Sequence, residues 1–83
     1  MMKRDSDALD ITMDQFAHDA VITLSKRRLR HLYGLERLGK NAWRDLFARL
    51  PEGVEVADIR VIEQGDDVIL VKASSAQSAE KYV

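Results

Sequence analysis

Apolar residues recur at helical spacing in the first third of the chain. The side chains that share one face of this helix are Phe16, Ala17, Ala20, Val21 and Leu24. Thr12 and Gln15 have the spacing of a capping box, and Ile11 precedes the cap as in a hydrophobic staple. The pattern predicts a first helix from Thr12 to near Ser25, preceded by a flexible N-terminus over residues 1–10.

Two more helices are predicted after Ser25, which can cap the second helix. The apolar side of the second helix consists of Leu29, Leu32, Tyr33 and Leu35, and Gly39 is well placed to terminate it. Asn41 can cap a third helix, which Pro51 would end. The apolar stripe of this third helix is Trp43, Leu46, Phe47 and Leu50.

The last third of the chain changes to the two-residue period of strands. The segments ADIRVIE and VILVKA are rich in β-branched residues and flank QGDD, which predicts a β-hairpin. The hairpin register pairs Ile62 with Ile69 and Val61 with Leu70. The final SSAQSAEKYV segment forms either a short helix that begins at Ser74 or a flexible tail over residues 74–83.

The predicted fold is a single α+β domain over residues 1–83, with three N-terminal helices followed by a two-stranded antiparallel β-hairpin. This order resembles that of a winged-helix DNA-binding domain, with the hairpin as the wing. The helix-turn-helix pattern itself fits poorly, because Lys40 and Asp45 fall where apolar residues are needed. A lone hairpin is marginal in water, so we expect it to pack on the helices or pair in a homodimer.

The composition favours a globular protein and restricts its chemistry. The 83 residues are 46% hydrophobic and 33% charged and include no cysteine. Disulfides and thiolate metal sites are therefore excluded, and a reducing cytoplasm is the expected compartment. No apolar run has the length of a signal sequence or of a membrane span, so we expect no membrane association.

The net charge of −1 hides a strong segregation of charge along the chain. Residues 1–25 carry two basic and five acidic side chains, and residues 50–83 carry three basic and seven acidic ones. Residues 26–49 carry eight basic and two acidic side chains, which gives this segment a charge of +6. A positive segment inside an acidic protein indicates an anionic partner.

The basic residues of the second helix, predicted over residues 26–40, concentrate on one face. Lys26, Arg30 and Arg37 fall within a narrow sector of the helical wheel, opposite the leucines. Arginine donates bidentate hydrogen bonds to phosphate or to guanine edges. The candidate contact residues for DNA or RNA are Lys26, Arg27, Arg30, Tyr33, Arg37, Lys40 and Arg44. The leading prediction is a small regulatory protein that binds nucleic acid through this helix.

An interaction module for another protein is the alternative prediction. The same arginines could dock on an acidic protein surface, or the VILVKA segment could add a strand to a partner. Small inhibitors and adaptors of phages and mobile elements act by occupying a surface in this way. The third interpretation is that these basic residues only form the solvated outer face of an ordinary helix and bind no partner.

No catalytic or cofactor-binding motif is present in the sequence. His18 follows Asp14 by one helical turn, but no third metal ligand accompanies them. His31 lies among arginines, whose positive charge disfavours a bound metal cation. We therefore expect a protein that is not an enzyme, has no catalytic residues and binds no metal or cofactor.

Overall fold

The fold combines three α-helices with one three-stranded antiparallel sheet. The computed structural model describes all 83 residues. The helices are α1 (Lys3–Asp14), α2 (Lys26–Tyr33) and α3 (Lys40–Phe47), and the strands are β1 (Val21–Ser25), β2 (Ile59–Gln64) and β3 (Asp67–Lys72). Short 3-10 turns occupy Gln15–Ala17, Val56–Asp58, Ala73–Ser75 and Ala79–Tyr82. The molecule is therefore α+β, but the predicted order of three helices and a separate hairpin is wrong.

The sheet has the strand order β1-β3-β2, because a strand from the first third of the chain joins the hairpin. In β1, Ile22 pairs with Leu70 and Leu24 with Val68. The hairpin register predicted from the sequence is confirmed, since Val61 pairs with Leu70 and Ile62 with Ile69. Residues 68–72 of the VILVKA segment belong to the central strand, so this strand has no free edge for a partner, and strand addition through it, one of the two docking modes of the alternative prediction, is wrong.

Helix α1 replaces the predicted first helix and lies closer to the N-terminus. Leu9 and Met13 of α1 and Phe16 of the following turn are buried at helical spacing. Thr12 is not an N-cap; its hydroxyl lies in the last turn of α1 and donates to the carbonyl of Ala8 at 2.8 Å. The capping-box pattern was thus a coincidence of spacing, and residues 3–10 are helical.

The ends of α2 and α3 follow from serine and glycine chemistry. Ser25 caps α2 as predicted, because its hydroxyl accepts the N–H of Arg28. Gly34 ends α2 in the left-handed conformation, with φ at 65°. The predicted termination at Gly39 is wrong, since Gly39 is instead the N-cap of α3 in place of Asn41.

The hydrophobic core lies between the helices and one face of the sheet. Its buried members are Leu9, Met13, Phe16, Ile22, Leu29, Leu46, Ile59, Val68 and Leu70. Only ten of the 83 residues are buried. A core of this size stabilises a domain only modestly, so each contact between the helices and the sheet contributes a substantial share of the stability.

The hairpin tip is attached to the start of α2 and does not stand free as a wing. The turn between β2 and β3 is Gly65-Asp66, and Gly65 supplies the positive φ of 59° that such a turn requires. The Asp66 carboxylate accepts the hydroxyl of Ser25 at 2.7 Å and the N–H of Arg27 at 3.1 Å. The hairpin therefore caps α2, which corrects the winged-helix-like prediction.

Candidate anion-binding cleft

Three of the predicted contact residues line one depression on the surface. Lys26 and Arg30 of α2 and Arg37 of the loop between α2 and α3 surround a depression of about 240 Å³. Its remaining lining residues are Glu36, Leu38, Trp43 and Glu63. We call this depression the cationic cleft. The cleft has the positive lining and the concave shape that suit an anionic group.

The cationic cleft arises differently from the single helical face that the sequence predicted. Helix α2 ends at Tyr33, so Arg37 belongs to the segment that connects α2 to α3. The left-handed turn at Gly34 redirects the chain, and the connecting segment then returns Arg37 to the side of Lys26 and Arg30. The loop that follows α2 therefore brings the three side chains together, and a continuous helix does not.

Two of the three cleft cations have carboxylate partners on the hairpin. The Nζ atom of Lys26 lies 3.4 Å from Glu63, and Nη2 of Arg30 lies 3.8 Å from Asp66. Both carboxylates are more than half exposed, so water and salt screen these pairs. An incoming anion can displace either carboxylate at a small cost in free energy. Arg37 has no intramolecular partner to be displaced.

Most of the basic residues in the +6 segment remain unpaired after folding. Of the eight, only Lys26, Arg30 and Arg49 lie within 4.0 Å of a carboxylate. The other five are exposed and form no ion pair: Arg27, Arg28, Arg37, Lys40 and Arg44. Lys40 and Arg44 flank Trp43 on the exposed side of α3, but they do not line the cleft itself.

Tyr33 and Arg49 lie in a separate network on the other side of α3. The Tyr33 hydroxyl donates to Asp45 at 2.7 Å, and Arg49 Nε donates to the same Asp45 oxygen at 3.1 Å. Burial, together with this hydrogen bond, raises the pKa of Tyr33 far above its usual value. The hydroxyl of Tyr33 is therefore engaged within the molecule and does not line the cleft.

Arg49 joins this network to α1 and has a structural role. Its Nη1 atom donates to the carbonyl and the hydroxyl of Ser6 at 2.9 and 2.8 Å, and to Asp10 at 2.8 Å. The hydrogen bond from Tyr33, followed by that from Arg49, lowers the pKa of Asp45. Arg49 thus contributes to the positive charge of its segment without presenting that charge to a partner.

Asp66 is the residue of this region whose role the sequence did not reveal. The hydrogen bond from Ser25 lowers the pKa of Asp66, and the Arg27 N–H and the charge of Arg30 add to this effect. The sequence pattern indicated only that Asp66 belongs to a turn. Its contact with Ser25 spans 41 positions along the chain, so no local signal could predict it.

Arg28 and Trp43 extend the candidate surface beyond the residues named from the sequence. Arg28 is exposed and unpaired on the flank of α2 that faces β1. Trp43 packs partly against the core and stacks on Phe47, with ring centroids 6.3 Å apart, yet it also lines the cleft. Trp43 was assigned to the core because it follows the apolar stripe of α3, and such a stripe does not indicate an exposed edge.

Neither a metal site nor a membrane-spanning helix is recognisable in the structure. No group of three or more His, Cys, Asp or Glu side chains has an arrangement that could hold a metal ion. None of the helices combines the length and the apolar character needed to cross a bilayer. No family model matches the chain, and comparisons with curated proteins and with solved structures give no significant match. Functional proposals therefore rest on the residues of this chain.

Proposed function

We propose that this protein binds nucleic acid through the cationic cleft and the exposed basic residues around it, and that it acts as a non-catalytic regulator. The observation that carries the proposal is the set of five exposed basic side chains without carboxylate partners, which is Arg27, Arg28, Arg37, Lys40 and Arg44. Unpaired cations at this density attract the phosphate backbone of DNA or RNA.

The residues of the cleft have different tasks in this proposal. Arg37 contacts phosphate directly, because no carboxylate competes for its guanidinium group. Lys26 and Arg30 contact phosphate once it has displaced their exposed carboxylate partners on the hairpin. The exposed edge of Trp43 offers an apolar surface to a sugar or an unstacked base. Lys40 and Arg44 continue the phosphate path along α3.

A protein surface that is mainly acidic but also carries basic groups is the second candidate partner. The observation in its favour is the ring of carboxylates around the cleft, formed by Glu36, Glu63 and Asp66. A phosphate backbone is repelled by these groups, whereas a protein partner with mixed charges can pair with both signs. The two candidates differ in their dependence on salt. For binding to a phosphate backbone, the logarithm of the association constant falls linearly with the logarithm of the salt concentration.

Fluorescence anisotropy with short labelled duplex DNA, single-stranded DNA and RNA tests the proposal. The decisive variant is the triple change Arg37→Glu, Lys40→Glu and Arg44→Glu, because none of these residues forms an internal ion pair. We expect the affinity for the preferred nucleic acid to fall at least about tenfold. The slope of log affinity against log salt should shrink by about 2.7 for duplex DNA if three phosphate contacts are lost.

A matched variant separates a specific surface from total charge. Lys3, Arg4 and Lys81 are also exposed and form no ion pair, and their change to Glu alters the net charge by the same amount. This control should retain most of the affinity and nearly the original salt slope. Equal losses in both variants would show that total charge, and not this surface, drives binding, and would refute the proposal. No binding of the unaltered protein at low salt would also refute it and would favour the acidic protein partner.

A further inference from the structure

The outer edge of strand β1 leaves backbone hydrogen-bonding groups free. Lys72 N–H donates to the Ala20 carbonyl at 2.9 Å, which makes the even-numbered residues along β1 the ones that bond to β3. The odd-numbered residues therefore point their N–H and C=O groups away from the sheet. These groups of Val21 and Thr23 have no hydrogen-bond partner within the molecule.

A groove of about 370 Å³ runs beside this edge. All five residues of β1 line one side of the groove, and Thr12, Gln15 and Arg28 line the other. The strand contains no proline, no lysine and no bulge, which are the features that commonly protect an edge from pairing. An extended segment therefore has both space and free hydrogen-bonding groups along the whole of β1.

The two faces that an added strand would extend differ in chemistry. On the helix side, Arg28 is the only ionisable residue that lines the groove, and its exposed side chain forms no ion pair. On the opposite face, Val21 is 52% exposed, and Thr23 stands in one row with Ile69 and the 51% exposed Ile62. Successive side chains of a strand alternate between such faces. The groove side thus favours an anionic group, and the other side favours apolar groups.

We infer that β1 binds an extended peptide segment of another protein, antiparallel to the strand, in which acidic or polar side chains alternate with β-branched ones. Leu24 packs against the core and lies beside Arg28. The peptide residue opposite Leu24 therefore carries the carboxylate that pairs with Arg28. The residues opposite Val21 and Thr23 are β-branched and extend the apolar face, and each exchanges a pair of backbone hydrogen bonds with its partner.

The hydrogen-bonding groups of the edge favour a peptide over the other anions that Arg28 could attract. A phosphate group only accepts hydrogen bonds from N–H groups, so it would leave the carbonyls of Val21 and Thr23 unpaired, whereas a peptide backbone satisfies both kinds of group. A second β1 strand would satisfy them too, but residues 21–25 contain no carboxylate for Arg28. The occupant is therefore a peptide of a different, acidic sequence.

Peptide binding at β1 is independent of the nucleic-acid binding proposed above. The cationic cleft and the β1 groove have no lining residue in common, and Arg28 does not line the cleft. Arg28 is also not among the residues changed in the test of nucleic-acid binding. The two surfaces can therefore be tested separately, and the failure of one proposal leaves the other standing.

The probe is a synthetic peptide without terminal charges, acetyl-Thr-Val-Glu-Val-Thr-Val-amide. When it lies antiparallel to β1 with its glutamate opposite Leu24, its valines fall on the apolar face of the sheet. NMR titration of the isotope-labelled protein should give a dissociation constant tighter than about 1 mM. The largest changes in chemical shift are expected at the amides of Val21 and Thr23, because these N–H groups gain hydrogen bonds.

A charge swap tests the contact with Arg28. Arg28→Glu in the protein, or lysine in place of the glutamate of the probe, should each weaken binding at least about fivefold, because each change brings like charges together. The two changes combined should restore the affinity, because opposite charges then meet again. Arg28 is exposed, and a glutamate in the first turn of a helix is favourable, so the variant should fold.

Two proline variants test the edge itself. Val21→Pro removes an outward N–H at the first residue of β1, where proline is tolerated and no bond to β3 is lost. Val61→Pro makes the matched change at an outward position of β2. Only Val21→Pro should weaken binding of the probe, by about fivefold or more, and circular dichroism should show that both variants fold.

Several outcomes would overturn the inference. One is a dissociation constant weaker than about 1 mM, and another is a set of chemical-shift changes that lies outside β1 and its groove. A swapped pair that does not regain affinity would show that Arg28 is not the contact. Self-association of the protein that Val21→Pro abolishes would identify a second copy as the occupant instead. If Val21→Pro fails to fold, the charge swap decides alone, since it changes no backbone group.

Discussion

Arg49 should be the basic residue on which the fold depends most, and replacing it with Met tests this directly. Its side chain is only 14% exposed and joins α1 to the end of α3. Arg49 would lose four hydrogen bonds to oxygen atoms, namely those to the Ser6 carbonyl, the Ser6 hydroxyl, Asp10 and Asp45, and a weaker one to Met1 Sδ. Methionine keeps the apolar stem of the side chain, so the change isolates the guanidinium group.

The expected cost follows from the environment of each partner. Asp10 and Asp45 are about half exposed, so each ion pair contributes roughly 0.5–1 kcal/mol. The two bonds to Ser6 are partly buried, and hydrogen bonds of a charged donor contribute about 1.5 kcal/mol each at the low end. Because the four bonds share one side chain, we expect a total loss of about 2–3 kcal/mol. For a domain of this size the melting temperature should fall by about 10–20 °C.

Urea unfolding followed by tryptophan fluorescence measures this loss, because the single Trp43 lies in α3. Arg44→Met is the matched control: Arg44 is in the same helix, but it is exposed and unpaired. The control should change the free energy of unfolding by less than about 0.5 kcal/mol. If the two variants were equally stable, the Arg49 network would contribute nothing and the reasoning above would be wrong.

Two further predictions concern α1 and the hairpin tip. Leu9→Ala should lower the free energy of unfolding by about 2–4 kcal/mol, because Leu9 is 2% exposed in the core. Ile11→Ala, at a position 67% exposed on the same helix, should change it by less than about 0.5 kcal/mol, and similar values would mean that α1 does not pack. Asp66→Asn should be less stable than the natural chain near pH 7. Because folding lowers the pKa of Asp66, thermal melts should show this difference fading as the pH falls below about 4, and a constant difference would exclude the charge of Asp66 as its cause.

The sequence predicts the local parts of this fold better than the positions where distant segments meet. The hairpin register and the Ser25 cap depend on neighbouring residues, and both are confirmed. Strand β1 was predicted as helix because Val21 and Leu24 follow the apolar spacing of the preceding residues. Its strand conformation results from pairing with β3, which lies more than 40 positions away. Propensity over a short window cannot include such a partner.

The candidate site was also predicted in part, for a similar reason. Charge counting drew attention to the +6 segment, and three of its residues share the cationic cleft. The helical wheel failed beyond Gly34, where the chain turns. Counting could not distinguish Arg49, which contacts α1, from Arg44, which contacts no carboxylate. Whether a cation is available to a partner depends on the carboxylates that folding brings near it.

Folding therefore divides the basic residues into two groups, and the division bears on how an anion would bind. Phosphate at Arg30 would displace Asp66, but Asp66 would still accept the Ser25 hydroxyl and the Arg27 N–H. The cap of α2 is thus independent of the ion pair that binding would break. Exposed pairs of this kind contribute under about 1 kcal/mol, so exchange at Lys26 and Arg30 opposes binding only weakly. An anion could therefore bind in the cleft while the contacts between the hairpin and α2 stay intact.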